Sequence, residues 1–170
     1  MKALAPAVIV TVMLLVGTGV ALSAPAAPPA CGGRDLRGSF DGIRGSAGAG
    51  SITYRLKLTN RSLASCWVSG IPQLRLLGAK GGALPTAVRP ARPGQGTAAR
   101  IVLRPGHAAR ADARFSPDVP GPGEQHPGAC EPSAHRLRVT IGGTSVTVPV
   151  RPPTPVCEHG TLSMSLLTAA

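Results

Sequence analysis

Residues 51–60, SITYRLKLTN, decide the fold class. Apolar side chains occupy every second position from Ile52 to Leu58, and polar or charged side chains occupy the positions between them. Successive side chains of a β-strand point to opposite faces of the sheet. The alternation therefore predicts a strand with one face in a core and the other in water. Asn60 and Ser62 then favour a turn.

Similar short alternating segments recur on both sides of this stretch, separated by glycines and prolines. Further strands are predicted at residues 36–43, 73–77, 100–103, 107–115, 136–141, 145–150 and 161–167. Gly142 and Gly143 separate two of these strands and predict a β-hairpin. About seven to eight short strands, with almost no helical periodicity, predict an all-β protein with an antiparallel β-sandwich.

The composition agrees with this class. The chain has 22 glycines and 18 prolines, which break helices and argue against a helical bundle. Its hydrophobic fraction of 43% argues against disorder. Glycine and proline concentrate in residues 78–99 and 116–128, which we predict to be irregular, mobile loops.

The N-terminus predicts export. Lys2 precedes an apolar run at residues 7–16, and small residues suited to cleavage follow it. We therefore expect residues 1–26 to be a signal peptide and residues 27–170 to be a single domain that is secreted or held at the cell envelope. An uncleaved membrane anchor is the alternative, but glycine, threonine and serine dilute the second half of the run. Pro28 disfavours a lipid on Cys31, because bacterial lipidation requires an aliphatic residue at that position.

The four cysteines, Cys31, Cys66, Cys130 and Cys157, all follow the predicted signal peptide. An even number in an exported protein is most simply explained by two disulfides. The sequence contains no C-x-x-C spacing, so it indicates neither a zinc ribbon nor a redox pair. Four cysteines allow three pairings, which the sequence does not decide. We prefer Cys31–Cys66 with Cys130–Cys157, because sequential pairing closes the shortest loops.

As an alternative to a disulfide, Cys130 and Cys157 could bind a metal ion. His126 precedes Cys130 and His159 follows Cys157 closely, so the four side chains could form a Cys2His2 site. Their spacings match no common zinc finger, and extracellular thiols tend to oxidise. We therefore predict no metal ligands and no cofactor.

A family resemblance becomes visible once cysteines and strands are placed. Its motifs are, in chain order, Cys31, Gly50-Ser51, Leu58-Thr59-Asn60, Cys66, Gly70-Ile71-Pro72, Leu103-Arg104-Pro105-Gly106, Cys130 and Cys157. In this order they resemble a family of secreted actinobacterial proteins known only as a domain of unknown function, number 4232. The resemblance covers nearly the whole predicted mature chain. It implies an immunoglobulin-like sandwich, often lipid-anchored or tethered at the envelope, and it brings no catalytic residues.

No catalytic motif is found in the sequence. There is no G-x-S-x-G nucleophile elbow, no phosphate-binding loop and no dinucleotide fingerprint. The histidines and acids are scattered: His107, His126, His135, His159, Asp35, Asp41, Asp112, Asp118, Glu124, Glu131 and Glu158. We predict that the protein is not an enzyme. A hydrolase or metal-dependent enzyme built from such loop residues is the alternative.

Positive charge is the remaining functional lead. The formal net charge is +11, and 18 basic residues oppose seven acids. Such an excess favours an anionic wall polymer or a membrane surface as partner, although a high-GC genome accounts for part of the arginine content. Dispersed arginines without aromatic neighbours disfavour nucleic acid.

Trp67, directly after Cys66, suggests a stacking platform for a ligand, but packing against a disulfide in the sandwich core is the preferred interpretation. The sequence as a whole predicts a monomeric, non-enzymatic binding or structural module of the cell envelope. It names no partner.

Overall fold

The computed structural model describes residues 26–94, 98–124 and 130–170. The predicted signal peptide, apart from Ala26, and His126 lie outside the described residues. The strands are β1 Leu36–Gly42, β2 Ile52–Asn60, β3 Cys66–Val68, β4 Gln73–Leu77, β5 Ala87–Pro90, β6 Ile101–Leu103, β7 Ala108–Phe115, β8 Ala134–Ile141, β9 Thr144–Thr154, β10 Thr161–Met164 and β11 Thr168–Ala169. One helical turn, α1, spans Cys157–Gly160. No helix within these ranges is both long enough and apolar enough to cross a membrane.

Most of the strands belong to one long sheet. Its order is β4-β8-β9-β1-β2-β7-β10-β5, with β11 paired to β7, while β3 and β6 form a separate two-stranded sheet. The long strand β9 changes partner along its length. Its first part pairs with β8, and its later part pairs with β1 through Phe40–Val150 and Asp41–Arg151. The strands enclose a single core, which gives a sandwich- or barrel-like architecture.

The all-β class is confirmed, but two details of the prediction are wrong. The described residues form eleven strands rather than seven to eight. The sheet is also not wholly antiparallel, because β1 pairs with β9 and β5 pairs with β10 in parallel. β5 lies inside the stretch 78–99 that was expected to be irregular. Val88 packs against the core there, and β5 is an edge strand, which tolerates Pro90.

The predicted hairpin is confirmed between β8 and β9. Ile141 pairs with Thr144, and only Gly142 and Gly143 lie between them. Their φ angles are 56° and 78°. Two consecutive residues with positive φ are what a tight two-residue hairpin turn requires, and glycine adopts that conformation without steric cost.

The core combines a few large side chains with many small ones. The rings of Phe40 and Tyr54 have centroids 5.1 Å apart, and those of Tyr54 and Phe115 5.2 Å apart. Along β7, in contrast, the buried positions before Phe115 are all alanine, from Ala109 to Ala113. Small side chains on β7 let the neighbouring strand β2 bury its larger leucines without overpacking.

The cysteines form the preferred pairs. Cys31 bonds to Cys66 and Cys130 bonds to Cys157, with Cα–Cα distances of 4.8 and 5.5 Å. No cysteine is left free. The Cys2His2 alternative fails, because a cysteine in a disulfide has no thiolate to offer a metal.

Candidate functional site

A groove of about 890 Å³ opens where β2, β7 and β10 lie side by side on the outer face of the sheet. We call it the β7–β10 groove. Its polar lining includes Thr53, Asp112, Arg114, Ser163, Ser165, Thr168 and Arg92, and its apolar lining includes Ile71, Pro90, Ala91 and Leu166. A concave surface that combines apolar area with a few convergent polar groups is the usual form of a small-molecule site.

Strand register brings the polar floor of the groove together. Arg114 on β7 pairs with Thr53 on one side and with Ser163 on the other, so these three residues form one row across three strands. Tyr54 and Ala113, their neighbours along the chain, are buried in the core. Alternation therefore sends the row outward into the groove.

The acid in the groove is already neutralised by a neighbour. Arg55 lies opposite Asp112 across β2 and β7 and donates two hydrogen bonds to its carboxylate, at 2.7 and 3.0 Å. These hydrogen bonds and the charge of Asp112 raise the pKa of Arg55. The side chains are 42% and 41% exposed, so the pair contributes only about 0–1 kcal/mol to stability. Its larger effect is to cancel the negative charge beside the groove.

Two arginines then dominate the electrostatics of the groove. Within the described ranges, neither Arg92 nor Arg114 takes part in a salt bridge. Arg114 donates through Nε to the hydroxyl of Ser51 at 2.9 Å, which holds the guanidinium at the floor. The remaining guanidinium N–H groups of Arg114 are donors suited to a carboxylate, phosphate or sulfonate.

The segment that follows β10 forms one wall of the groove. The Ser165 amide donates to the Asp112 carbonyl, and the Ser165 hydroxyl accepts a hydrogen bond from the Asp112 amide, both at 2.9 Å. Further along, β11 pairs with β7 through Thr168–Arg110. The chain end is thereby fixed beside β7, and Leu166 becomes part of the groove lining.

The described histidines do not converge on this groove. His107, His135 and His159 are exposed, and none of them lines it. His159 instead lies near Glu124, with Nδ1 3.7 Å from Oε1. Its Nε2 is 3.1 Å from the Pro122 carbonyl oxygen.

Glu124 binds the turn α1. Its carboxylate accepts hydrogen bonds from the backbone amides of Gly121, Glu158 and His159, at 2.5, 2.8 and 2.5 Å. Glu158 and His159 have φ angles of 54° and 56°, so their amides point in similar directions and suit an anion. Burial raises the pKa of Glu124, but the three amide hydrogen bonds and the nearby His159 outweigh it and lower the pKa below its usual value.

Glu124, Glu131 and His159 form a cluster in which the possible ligand atoms lie within 4.8 Å of one another. These three side chains are of types that hold divalent metals. However, both carboxylate oxygens of Glu124 already accept backbone hydrogen bonds. Glu124 therefore has a structural role, because its carboxylate caps the left-handed turn α1.

The prediction that Trp67 packs in the core is wrong. Its neighbours Cys66 and Val68 are buried, whereas Trp67 is half-buried and lies outside the core cluster. Alternation along β3 places the indole on the opposite face from the disulfide. The Arg100 guanidinium lies 4.3 Å from the ring centroid, a cation–π contact that occupies one face of the indole.

The chain is an all-β protein held by two disulfides, with an open groove on its sheet. Disulfides of this kind indicate an oxidising, extracytoplasmic environment. The family model described as a domain of unknown function (DUF4232) matches residues 31–168, and the chain belongs to that family. No curated protein and no solved structure matches the chain.

Sequence reasoning did not find the groove. Its residues come from β2, β7, β10 and the segment around Arg92, which are far apart in the chain. The one signal available was the outward set on β7, Arg110, Asp112 and Arg114, and nothing in the sequence distinguished it from an ordinary solvated strand face. Strand order, which the sequence does not reveal, decides which residues share the floor.

Proposed function

We propose that the protein is an exported, non-enzymatic binding module of the cell envelope and that the β7–β10 groove is its ligand site. The observation that carries the proposal is the combination in one groove of two arginines without acidic partners among the described residues and an apolar lining. A ligand with an apolar body and one anionic group fits both features.

Several features support binding rather than catalysis. All four cysteines are in disulfides, which removes the thiol as a nucleophile. The ring nitrogens of the described histidines form one hydrogen bond, from His159 to the Pro122 carbonyl. A serine or threonine activated by histidine would need a hydrogen bond between the two side chains. Retention at the envelope and an immunoglobulin-like form of the sandwich belong to the same proposal and follow from the family resemblance.

Titration with anilinonaphthalene sulfonate tests the groove, because this fluorophore is an apolar ring system with one sulfonate. We expect saturable binding to the folded protein. The double variant Arg92→Gln/Arg114→Gln should lower the affinity about tenfold, since two charge-assisted contacts are lost.

The matched control is Arg75→Gln/Arg138→Gln, which removes the same charge from exposed positions on β4 and β8. This control should bind the fluorophore as the unmodified protein does. Equal loss in both double variants would show that net charge, and not the groove, governs binding, and would contradict the proposal.

A second experiment tests the non-enzymatic half of the proposal. A molecule recovered with the mature protein from its native envelope can be identified by mass spectrometry and incubated with fresh protein. We expect its mass to stay unchanged over many binding half-lives. Conversion into a product would establish an enzyme and reject this part of the proposal.

A further inference from the structure

A second concavity lies on a different part of the molecule, where β1 and the first half of β9 diverge. It has a volume of about 390 Å³, and its lining includes Arg34, Arg37, Arg61, Ser145 and Thr147. We call it the arginine cleft. Among the described residues, no acid belongs to its lining. Three positively charged residues in the lining of one small cleft favour an anion there.

Hydrogen bonds to the backbone of residues 34 and 35 hold Arg61 in place. The Arg61 amide donates to the Asp35 carbonyl at 2.7 Å, and Arg61 Nε donates to the Arg34 carbonyl at 2.8 Å. On the opposite rim, the Gly33 amide donates to the Thr144 hydroxyl at 2.5 Å. A side chain at Gly33 would overlap the Ser145 carbonyl, so glycine is required for this close approach. The nearest acid along the chain, Asp35, accepts a hydrogen bond from the Gly32 amide.

The positive surface continues from the cleft across the adjoining sheet. Thr147, at the rim of the cleft, pairs with Arg138 on β8, and Arg138 pairs with Arg75 on β4. Arg75 and Arg138 are both exposed and directly opposite each other. Like charges at such a cross-strand pair are destabilising.

None of these five arginines has an acidic partner in the part of the chain that the structure describes. The salt bridges found there join Arg55 to Asp112 and His159 to Glu124. Composition alone does not explain why Arg34, Arg37 and Arg61 share one cleft whose described lining contains no acid. Guanidinium groups match phosphate and carboxylate geometry, and several of them in a tract suit repeated anionic groups better than one small ion.

We propose that the arginine cleft and the Arg138–Arg75 face form one binding track for an extended polyanion, a polymer with repeated phosphate or carboxylate groups. The track shares no residue with the β7–β10 groove and does not depend on it. A polymer is favoured over a membrane because the track is polar. The large exposed apolar residues of the described ranges are Leu63, Val102 and Val119, and none of them lines the cleft.

Binding to two defined polymers across a salt series tests the track: polyphosphate and polygalacturonate. We expect at least one of them to bind, with affinity that falls steeply as salt rises. Arg34→Gln/Arg37→Gln and Arg75→Gln/Arg138→Gln should each lower the affinity about thirtyfold at low salt. The polymer that binds more tightly identifies phosphate or carboxylate as the preferred group.

The control is the groove variant Arg92→Gln/Arg114→Gln, which removes the same charge elsewhere and should keep nearly full affinity for the polymer. If all three double variants lose polymer affinity equally, binding depends on net charge and not on the track, and the proposal is wrong. It is also wrong if neither polymer binds. If only anionic phospholipid vesicles bind, and Leu63→Ser abolishes that binding, the surface is a membrane contact and the polymer proposal is wrong.

The unfolding of the ligand-free protein provides a second test of the track. Because Arg75 and Arg138 repel each other in the free protein, Arg138→Gln should raise the urea midpoint of unfolding at low salt, and added salt should remove the difference. A variant that gains stability but loses polymer affinity shows that the arginine pair is there for a ligand. A lower midpoint would show a structural role for Arg138 and contradict the proposal.

Discussion

At the scale of single residues, Asn60 makes four side-chain hydrogen bonds. Its side chain is 1% exposed, and its Nδ2 donates to the carbonyls of Ala64 and Leu103 at 2.8 and 2.9 Å. Its Oδ1 accepts hydrogen bonds from the amide and the hydroxyl of Ser62. The Asn60 backbone also bonds to His107 and Gly106. One asparagine thus joins the end of β2, the following turn and the β6–β7 connection.

Asn60→Ala should therefore lower the free energy of unfolding by about 1–3 kcal/mol, because the Leu103 carbonyl loses its donor in a buried hydrogen bond and the Ser62 turn loses its acceptor. Thr59→Ala, at the adjacent outward-facing position, should cost well under half of that amount. Urea denaturation with both disulfides intact measures the difference. If the two variants lose similar amounts of unfolding free energy, the side-chain hydrogen bonds of Asn60 do not stabilise the fold.

At the scale of elements, the two disulfides lie in different surroundings. Cys31 and Cys66 are 1% and 3% exposed, and both belong to the core cluster. Cys130 is half-buried, and its disulfide joins the segment before β8 to the turn α1. The sequence separations are 35 and 27 residues. Loop entropy alone then predicts nearly equal stabilisation, roughly 3.8 and 3.6 kcal/mol.

We expect Cys31→Ala/Cys66→Ala to destabilise more than Cys130→Ala/Cys157→Ala, since the first pair also loses packing in the core. Urea midpoints of the two double variants, measured with the other disulfide confirmed by mass spectrometry, give the comparison. The opposite order would indicate that α1 and its Glu124 cap, rather than the β3 region, limit stability.

Most of the long strands could be predicted from the sequence, but their order in the sheet could not. Alternation located β2, β4, β7 and the β8–β9 hairpin, because one face of each is buried and the other is solvated. It missed β5, whose four residues carry too little pattern to stand out from a Gly/Pro-rich stretch. It also misplaced Trp67, because proximity to Cys66 in the chain suggested a shared face, whereas adjacent residues of a strand face opposite ways. Neither the groove nor the arginine cleft was predictable, since both depend on which strands are neighbours.

At the scale of the whole molecule, Tyr54 links β2 to β9 through its hydroxyl and couples folding to pH. Its ring lies between Phe40 and Phe115, and its hydroxyl donates to the Pro152 carbonyl on β9 at 2.9 Å. Burial raises the pKa of Tyr54 above its ordinary value of 10.0, although a hydrogen bond with Thr154 acts in the opposite direction. The folded protein therefore holds this proton more tightly than the unfolded chain does.

The sign of the pH dependence follows from that difference. The contribution of Tyr54 to stability is fully present below the ordinary pKa and is lost as pH rises through the higher pKa of the folded state. Tyr54→Phe should cost about 1 kcal/mol at neutral pH, because the Pro152 carbonyl loses its donor. Above about pH 10 the difference in unfolding free energy between the unmodified protein and Tyr54→Phe should become smaller, since phenylalanine does not titrate.

Urea midpoints of both proteins from neutral to alkaline pH measure this convergence. Lysines and disulfides respond to alkali in both proteins, so the difference between the curves isolates Tyr54. The chain has one tyrosine, so phenolate absorbance reports this residue alone and should show ionisation delayed beyond that of the urea-unfolded chain. Parallel stability curves, together with ionisation at the ordinary pKa, would mean that the hydroxyl is open to water and that β2 and β9 are not joined through it.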